Sequence, residues 1–140
     1  MPEAHAEREV TSSPDAVWSV LREFGDVSWI PPAGTVEVEG EGPGMVRRIH
    51  GSGDGDPVVE RLVSASDATR TLVYEIDGNN PLPVTSYRGT VVVEPTGGGA
   101  RIRWQADYEP EGDEGEAATV IELMLGTLTG WLADAVEGTA

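Results

Sequence analysis

Residues 101–109, RIRWQADYE, alternate strictly between polar and apolar side chains. One face of this stretch carries only the side chains of Ile102, Trp104, Ala106 and Tyr108. A period of two is typical of a strand in an antiparallel sheet that buries one face and exposes the other to water. The stretch therefore predicts a sheet whose inner face packs against a second layer.

The segment that follows predicts this second layer. Residues 114–137 carry apolar side chains at helical spacing, after an acidic linker at 111–116. A helix of about 23 residues is roughly 35 Å long, which is enough to cross a sheet. Gly126 and Gly130 each cost this helix about 1 kcal/mol relative to alanine, so we expect it to bend there or to pass close to another backbone. Its broad apolar face is formed by Ala117, Ile121, Met124, Leu125, Leu128, Trp131, Leu132 and Ala135.

Upstream, the sequence predicts one strand and two short helices. The strand spans 5–10, and the first helix begins at Pro14 after a serine N-cap, with Gly25 as its stop. A second short helical turn spans 26–30 and ends at two prolines, which cannot continue a helix.

The remaining chain reads as strands separated by turns. The predicted strands are 35–39, 45–50, 58–64, 71–77, 84–94 and 101–109. The whole order predicts an α+β fold, in which a curved antiparallel sheet of about seven strands surrounds a long C-terminal helix. We expect residues 1–140 to form one domain. A single helix does not fill a wide curved sheet, so we also expect an internal cavity.

Composition narrows the range of functions. The 140 residues include no cysteine, and nine basic against 25 acidic residues give a net charge of -16. A disulfide or a thiolate zinc site is therefore impossible, and a nucleic-acid partner is disfavoured because phosphate binding needs a basic face. His5 and His50 fall on separate predicted strands, so we expect no metal. We found no apolar run of membrane-spanning or signal-peptide length and expect a cytoplasmic protein without membrane insertion.

Seven short motifs in order carry a family resemblance. They are 13–18 (SPDAVW), Trp29 with Pro31, 44–48 (GMVRR), 59–62 (VERL), 81–84 (PLPV) leading to Tyr87, 101–104 (RIRW) and 108–110 (YEP). Together they resemble the START/Bet v 1-like superfamily, also called SRPBCC, and most closely its polyketide cyclase/dehydratase branch. This resemblance implies a helix-grip fold around a hydrophobic pocket. Members of the superfamily include ligand carriers, hormone receptors, aromatases and cyclases.

Residues 60–93 are also similar to the plant abscisic-acid receptors. The resemblance places Glu60 and Tyr87 in the pocket lining, residues 51–57 at the position of a gate loop and residues 80–84 at that of a latch loop. We expect the loops 51–57 and 78–83 to form the mouth of the pocket. The lysine that anchors the carboxylate in those receptors has no equivalent, because this chain contains no lysine. Abscisic acid is therefore not the expected ligand.

Glu60 is the most informative candidate residue. If Val58, Glu60 and Leu62 face inward, a carboxylate enters an apolar cavity, where it can hold a ligand hydroxyl or act as a general acid or base. Either Arg47 or Arg48 is its candidate partner. The alternative is a shifted register that leaves Glu60 in water. As catalytic candidates we name Glu60 and Tyr87.

Aromatic residues supply the second signal. Six of the eight fall on predicted inner faces, and Tyr and Trp carry polar atoms that need partners when buried. Core packing explains any one of these residues. A core with many polar-tipped Tyr and Trp side chains but only one Phe favours a partly wet or ligand-filled cavity. The predicted ligand-binding set is Trp29, Glu60, Leu62, Tyr74, Tyr87, Trp104, Tyr108, Ile121, Met124 and Leu128.

The leading functional hypothesis is binding of a hydrophobic small molecule, polyketide-like or lipid-like, in the cavity, without a cofactor. One alternative is a polyketide cyclase or dehydratase that uses Glu60 and a tyrosine. Another is a cochaperone-like protein-interaction module. The sequence makes no prediction of the oligomeric state.

Overall fold

The computed structural model describes residues 2–30, 35–50, 57–76 and 82–137, which form a seven-stranded antiparallel sheet and two helices. In chain order the elements are β1 (Glu3–Val10), α1 (Pro14–Leu21), β2 (Thr35–Glu39), β3 (Val46–His50), β4 (Val58–Ser66), β5 (Thr71–Ile76), β6 (Val84–Thr96), β7 (Gly99–Pro110) and α2 (Glu114–Glu137). The predicted sheet and its long C-terminal helix are confirmed.

The order of strands across the sheet is β1-β7-β6-β5-β4-β3-β2. After β1 the chain crosses to the opposite edge and then returns strand by strand, so that β7 closes against β1. The alternation in β7 is as predicted, because Ile102, Trp104, Ala106 and Tyr108 are all buried. On β6 the inward residues opposite them include Tyr87, Gly89 and Val91, which fixes one continuous inner face.

Helix α1 forms where the capping signals place it. The Ser13 side chain accepts a hydrogen bond from the Ala16 N–H (3.1 Å), and Pro14 occupies the first helical position. The helix ends at Leu21, earlier than the predicted stop at Gly25.

The predicted second short helix is wrong. Residues 24–30 form separate turns, with hydrogen bonds from the Asp26 N–H to the Glu23 carbonyl and from the Ile30 N–H to the Val27 carbonyl (both 2.9 Å). The Asp26 carboxylate accepts the Ser28 N–H (2.9 Å), which lowers the Asp26 pKa. Such a local bond offers the backbone an alternative to the helical ladder, and here it prevails.

Helix α2 has the predicted bounds and buries one side against the sheet, chiefly on β1 and β7. A Cβ on Gly126 would meet no heavy atom within 4 Å, and one on Gly130 would approach only the Arg8 side chain, at 3.8 Å. Within the described residues, a close approach to another backbone, one of the two alternatives expected at these glycines, is therefore absent, and the other alternative, a bend, stays a prediction. The sequence predicts no segment of membrane-spanning length, yet α2 is long and apolar enough to cross a membrane. One face of α2 is buried against the sheet, as in the core helix of a globular protein.

This off-centre position of α2 decides where space remains. The helix covers the β1 and β7 side of the inner face. In the described part of the chain, the inner faces of β3, β4 and β5 are not covered by the body of α2, and only individual side chains lie over them.

Candidate functional site

A cavity of about 190 Å³ occupies this less covered half of the molecule. It lies over β3, β4 and β5, with two side chains of α2 on the opposite side. Most of its lining is apolar. The lining residues are Trp29, Ile30, Arg47, Ile49, Val58, Glu60, Tyr74, Ile76, Leu82, Trp104, Met124 and Leu128.

The period of two along the strands selects these residues. Arg47 and Ile49 share one face of β3, as Tyr74 and Ile76 share one face of β5. Register brings the polar pair together, since Arg47 lies directly opposite Glu60. The inward orientation of Glu60 is therefore set by sheet pairing.

Arg47 and Glu60 form a buried ion pair at the cavity wall. Arg47 Nε and Nη2 lie 2.7 and 2.6 Å from Glu60 Oε1, and the two side chains are only 8% and 13% exposed. Arg47 Nη1 donates to the Phe24 carbonyl (2.7 Å), and the guanidinium stacks 3.9 Å above the Phe24 ring. The open choice between the two arginines is thus decided, because Arg48 instead lies near Glu39.

The second oxygen of this carboxylate faces open space. No donor among the described residues contacts Glu60 Oε2, whereas Oε1 accepts both bonds from Arg47. Every buried side-chain nitrogen and oxygen in the described part of the chain has a partner, so Oε2 is not sealed in the core. Because Glu60 lines the cavity, the wall presents a charged acceptor to whatever fills it.

An aromatic cluster forms the adjoining wall. Trp104 Nε1 donates to the Tyr74 hydroxyl (3.2 Å), which also shares a hydrogen bond with the Tyr87 hydroxyl (3.0 Å). Burial raises the pKa of Tyr74 and of Tyr87, and the negative charge of Glu60 adds to both shifts. Both phenols are therefore neutral at physiological pH. Trp29 packs its ring 6.2 Å from that of Trp104, centroid to centroid.

The structure brings six of the ten predicted ligand-binding residues to this cavity: Trp29, Glu60, Tyr74, Trp104, Met124 and Leu128. The other four, Leu62, Tyr87, Tyr108 and Ile121, are buried outside its lining. Tyr108 and Ile121 belong to β7 and α2, the two elements that pack against each other. Tyr87, a catalytic candidate, contacts Tyr74 through the two hydroxyls (3.0 Å) and through the rings, whose centroids are 5.9 Å apart.

Sequence reasoning missed five apolar lining residues: Ile30, Ile49, Val58, Ile76 and Leu82. Val58 carried a signal, since it alternates with Glu60. The predicted mouth loops, 51–57 and 78–83, fall largely outside the described residues, although Leu82 reaches the lining. In the described ranges, no group of three or more His, Asp or Glu side chains is placed to hold a metal ion.

Known proteins share both this fold and this sequence pattern. A family model described as "polyketide cyclase / dehydrase and lipid transport" matches residues 1–137. The chain belongs to this family. It is thereby a member of the START/Bet v 1-like superfamily, and the resemblance seen in the sequence is confirmed.

Individual relatives agree with this assignment. MLP-like protein 423 of Arabidopsis thaliana is 30% identical over 132 residues, which cover 84% of this chain and 83% of that protein. The structure of XoxI from Bacillus cereus superposes with a TM-score of 0.84 at 26% identity, covering 97% of this chain and 96% of that one. Ara h 8.0201 shares the fold, with a TM-score of 0.80 at 20% identity and 99% coverage of both chains. Family and fold support a hydrophobic ligand-binding role or a polyketide cyclase-type role.

Proposed function

We propose that this family member binds a hydrophobic small molecule in the cavity over β3, β4 and β5, as a cytoplasmic protein. One observation carries the proposal: among the described residues that line it, a mostly apolar cavity presents one charged acceptor, Glu60 Oε2, held in place by Arg47. Binding sites for small molecules are commonly apolar hollows with a few fixed polar groups. This cavity has that composition.

The ion pair is informative because stability alone does not require it. Removing two charges from water is costly, and a well-packed apolar pair often gives equal or greater stability. Here the pair sits at the cavity wall, with one carboxylate oxygen left open. Orientation of a polar group on the ligand is a role that an apolar pair cannot perform.

Intrinsic fluorescence tests the proposal directly, because Trp29 and Trp104 line the cavity. A panel of hydrophobic compounds is titrated against the protein, against Leu128→Phe, which fills the cavity, and against Leu123→Phe. Leu123 lies on the same helix but is 72% exposed. We expect a saturable change in the wild type and in Leu123→Phe, and at least tenfold weaker binding in Leu128→Phe. No saturable change with any compound would refute ligand binding.

A second candidate function is proton transfer in a cyclisation or dehydration, and the open Glu60 oxygen beside the Tyr74 wall favours it. Positioning of the substrate supplies much of the rate in such reactions, so few catalytic groups suffice. A poly-ketone substrate distinguishes the two functions, since a carrier returns it unchanged. If wild-type protein forms product and Glu60→Gln forms it at the same rate, Glu60 has no catalytic role.

A further inference from the structure

The cavity is small for the ligands that the family description suggests. Its volume is about 190 Å³. An engineered apolar cavity of about 150 Å³ accommodates one benzene molecule, and pockets for drug-sized ligands begin near 300 Å³. This volume matches one ring with one or two short substituents. A long acyl chain or a fused multi-ring compound would extend beyond it.

The charged wall restricts the chemistry of the ligand further. The available group is an acceptor, Glu60 Oε2, and the neighbouring cation is engaged elsewhere. Arg47 Nε and Nη2 bind Glu60 Oε1, and Nη1 binds the Phe24 carbonyl. A ligand carboxylate at this wall would face another carboxylate at short range, which is unfavourable in a site removed from water. A neutral group with an O–H donor would form a charge-assisted hydrogen bond instead.

Aromatic side chains surround this acceptor. The rings of Trp29, Tyr74 and Trp104 line the cavity, and the Tyr74 and Trp104 rings meet edge to face with centroids 6.4 Å apart. Such walls favour a flat ring over a flexible chain, because aromatic pairs add to simple area burial and a rigid ligand loses little entropy.

We propose that the cavity selects a neutral, single-ring compound of the phenol class, whose hydroxyl donates to Glu60 Oε2 while its ring packs among Trp29, Tyr74 and Trp104. This inference rests on the proposed ligand-binding function and narrows it to one chemical class. It excludes long-chain fatty acids and fused-ring polyketides as ligands of the cavity in this form.

Four matched probes test the selection: 4-ethylphenol, its methyl ether, 4-ethylbenzoate and decanoate, each titrated by calorimetry. The ether replaces the hydroxyl hydrogen of the phenol with a methyl group and so removes the donor, and the benzoate replaces the hydroxyl with an anion. We expect the phenol to bind roughly ten to a hundred times more tightly than the ether, the range for a hydrogen bond to a charged group. The benzoate and decanoate should show no binding at the cavity.

Variants locate the effect. Glu60→Gln should reduce the preference for phenol over ether to threefold or less, and circular dichroism verifies that this variant is folded. Because loss of the charge leaves Arg47 unpaired, Met124→Ala provides a second measurement that keeps the pair intact. It enlarges the cavity from the α2 side and should admit 2-naphthol, which the wild type rejects.

The outcomes separate the two levels of the proposal. If decanoate or 2-naphthol binds wild-type protein as tightly as 4-ethylphenol, the phenol class is wrong while ligand binding survives. An ether that binds as tightly as the phenol overturns the role of Glu60 Oε2. If neither these probes nor the wider hydrophobic panel binds, the proposed function itself fails.

Discussion

Gly89 leaves the space that the Tyr74 ring of the aromatic wall occupies, and Gly89→Ala should displace this ring. Gly89 lies on β6 directly opposite Tyr74 of β5. A Cβ added there would overlap Tyr74 Cε1 and Cζ and lie 2.6 Å from the Tyr74 hydroxyl oxygen. Real contacts of this kind do not occur, so the ring has to move.

The magnitude follows from what Tyr74 would lose. Overpacking a core costs about 1–3 kcal/mol, and the Tyr74 hydroxyl makes two buried hydrogen bonds worth about 1 kcal/mol each. The free energy of unfolding should therefore fall by about 3–5 kcal/mol. For a urea slope of about 2 kcal/mol/M, the unfolding midpoint should fall by about 1.5–2.5 M.

Urea unfolding followed by circular dichroism measures this change, and Gly126→Ala is the matched control. A Cβ on Gly126 meets no heavy atom within 4 Å, so alanine there should stabilise α2 by up to about 1 kcal/mol. A Gly89→Ala protein as stable as the wild type, with unchanged ligand affinity, would show that Tyr74 is not fixed as described. Equal destabilisation by Gly89→Ala and Gly126→Ala would show that the space around each glycine does not determine the loss of stability.

Two further predictions concern the ionisable groups of the core. Arg47→Met should destabilise the protein by about 3–5 kcal/mol, because it leaves the Glu60 carboxylate buried and unpaired. Adding Glu60→Leu should restore most of the lost stability. A double variant that is no more stable in urea than Arg47→Met alone would contradict this account. Burial raises the pKa values of Tyr74, Tyr87 and Tyr108, and the shift is large for Tyr74 and Tyr87, so these two tyrosines should stay neutral near pH 10 while the fold persists. Because the pKa values are higher in the folded state than in the unfolded chain, the tyrosines contribute their full stabilisation below pH 10. Above pH 10 the free energy of unfolding falls by about 1.4 kcal/mol per pH unit for each tyrosine that is still neutral in the folded state. Most of the rise in absorbance at 295 nm should therefore accompany the loss of circular dichroism, and phenolate formation by more than one tyrosine in folded protein at pH 10 would refute the burial argument.

The elements that sequence predicted best have an unbroken period. In β7 four alternate residues are apolar, and α2 repeats its apolar residues at helical spacing over several turns. Both patterns are redundant, so one exceptional residue does not alter the assignment. The second short helix failed because its segment is a single turn long. One side-chain hydrogen bond, from the Ser28 N–H to Asp26, is enough to decide its backbone.

The site was less predictable because it depends on relations between elements. Strand β3 has apolar residues on both faces, Val46 on one and Ile49 on the other, so its own sequence does not show whether Arg47 or Arg48 points inward. Pairing of Arg47 with Glu60 across the sheet decides it, and that register is a long-range property. The sequence was sufficient to identify Glu60 as a candidate but not its partner.

The distinction between core and cavity lining arises at a still higher level. Tyr74 and Tyr108 both point to the inner face of the sheet and both are buried, yet only Tyr74 borders the cavity. What separates them is the placement of α2, which packs on β1 and β7 and leaves the inner side of β3, β4 and β5 to the Arg47–Glu60 pair and a few apolar side chains. A helix lying over the middle of the sheet would cover the pair, and an open carboxylate oxygen in a sealed core would be strongly destabilising. The off-centre helix and the open Glu60 oxygen are therefore two aspects of one arrangement, which is why ligand binding and the facing of Glu60 must be tested together.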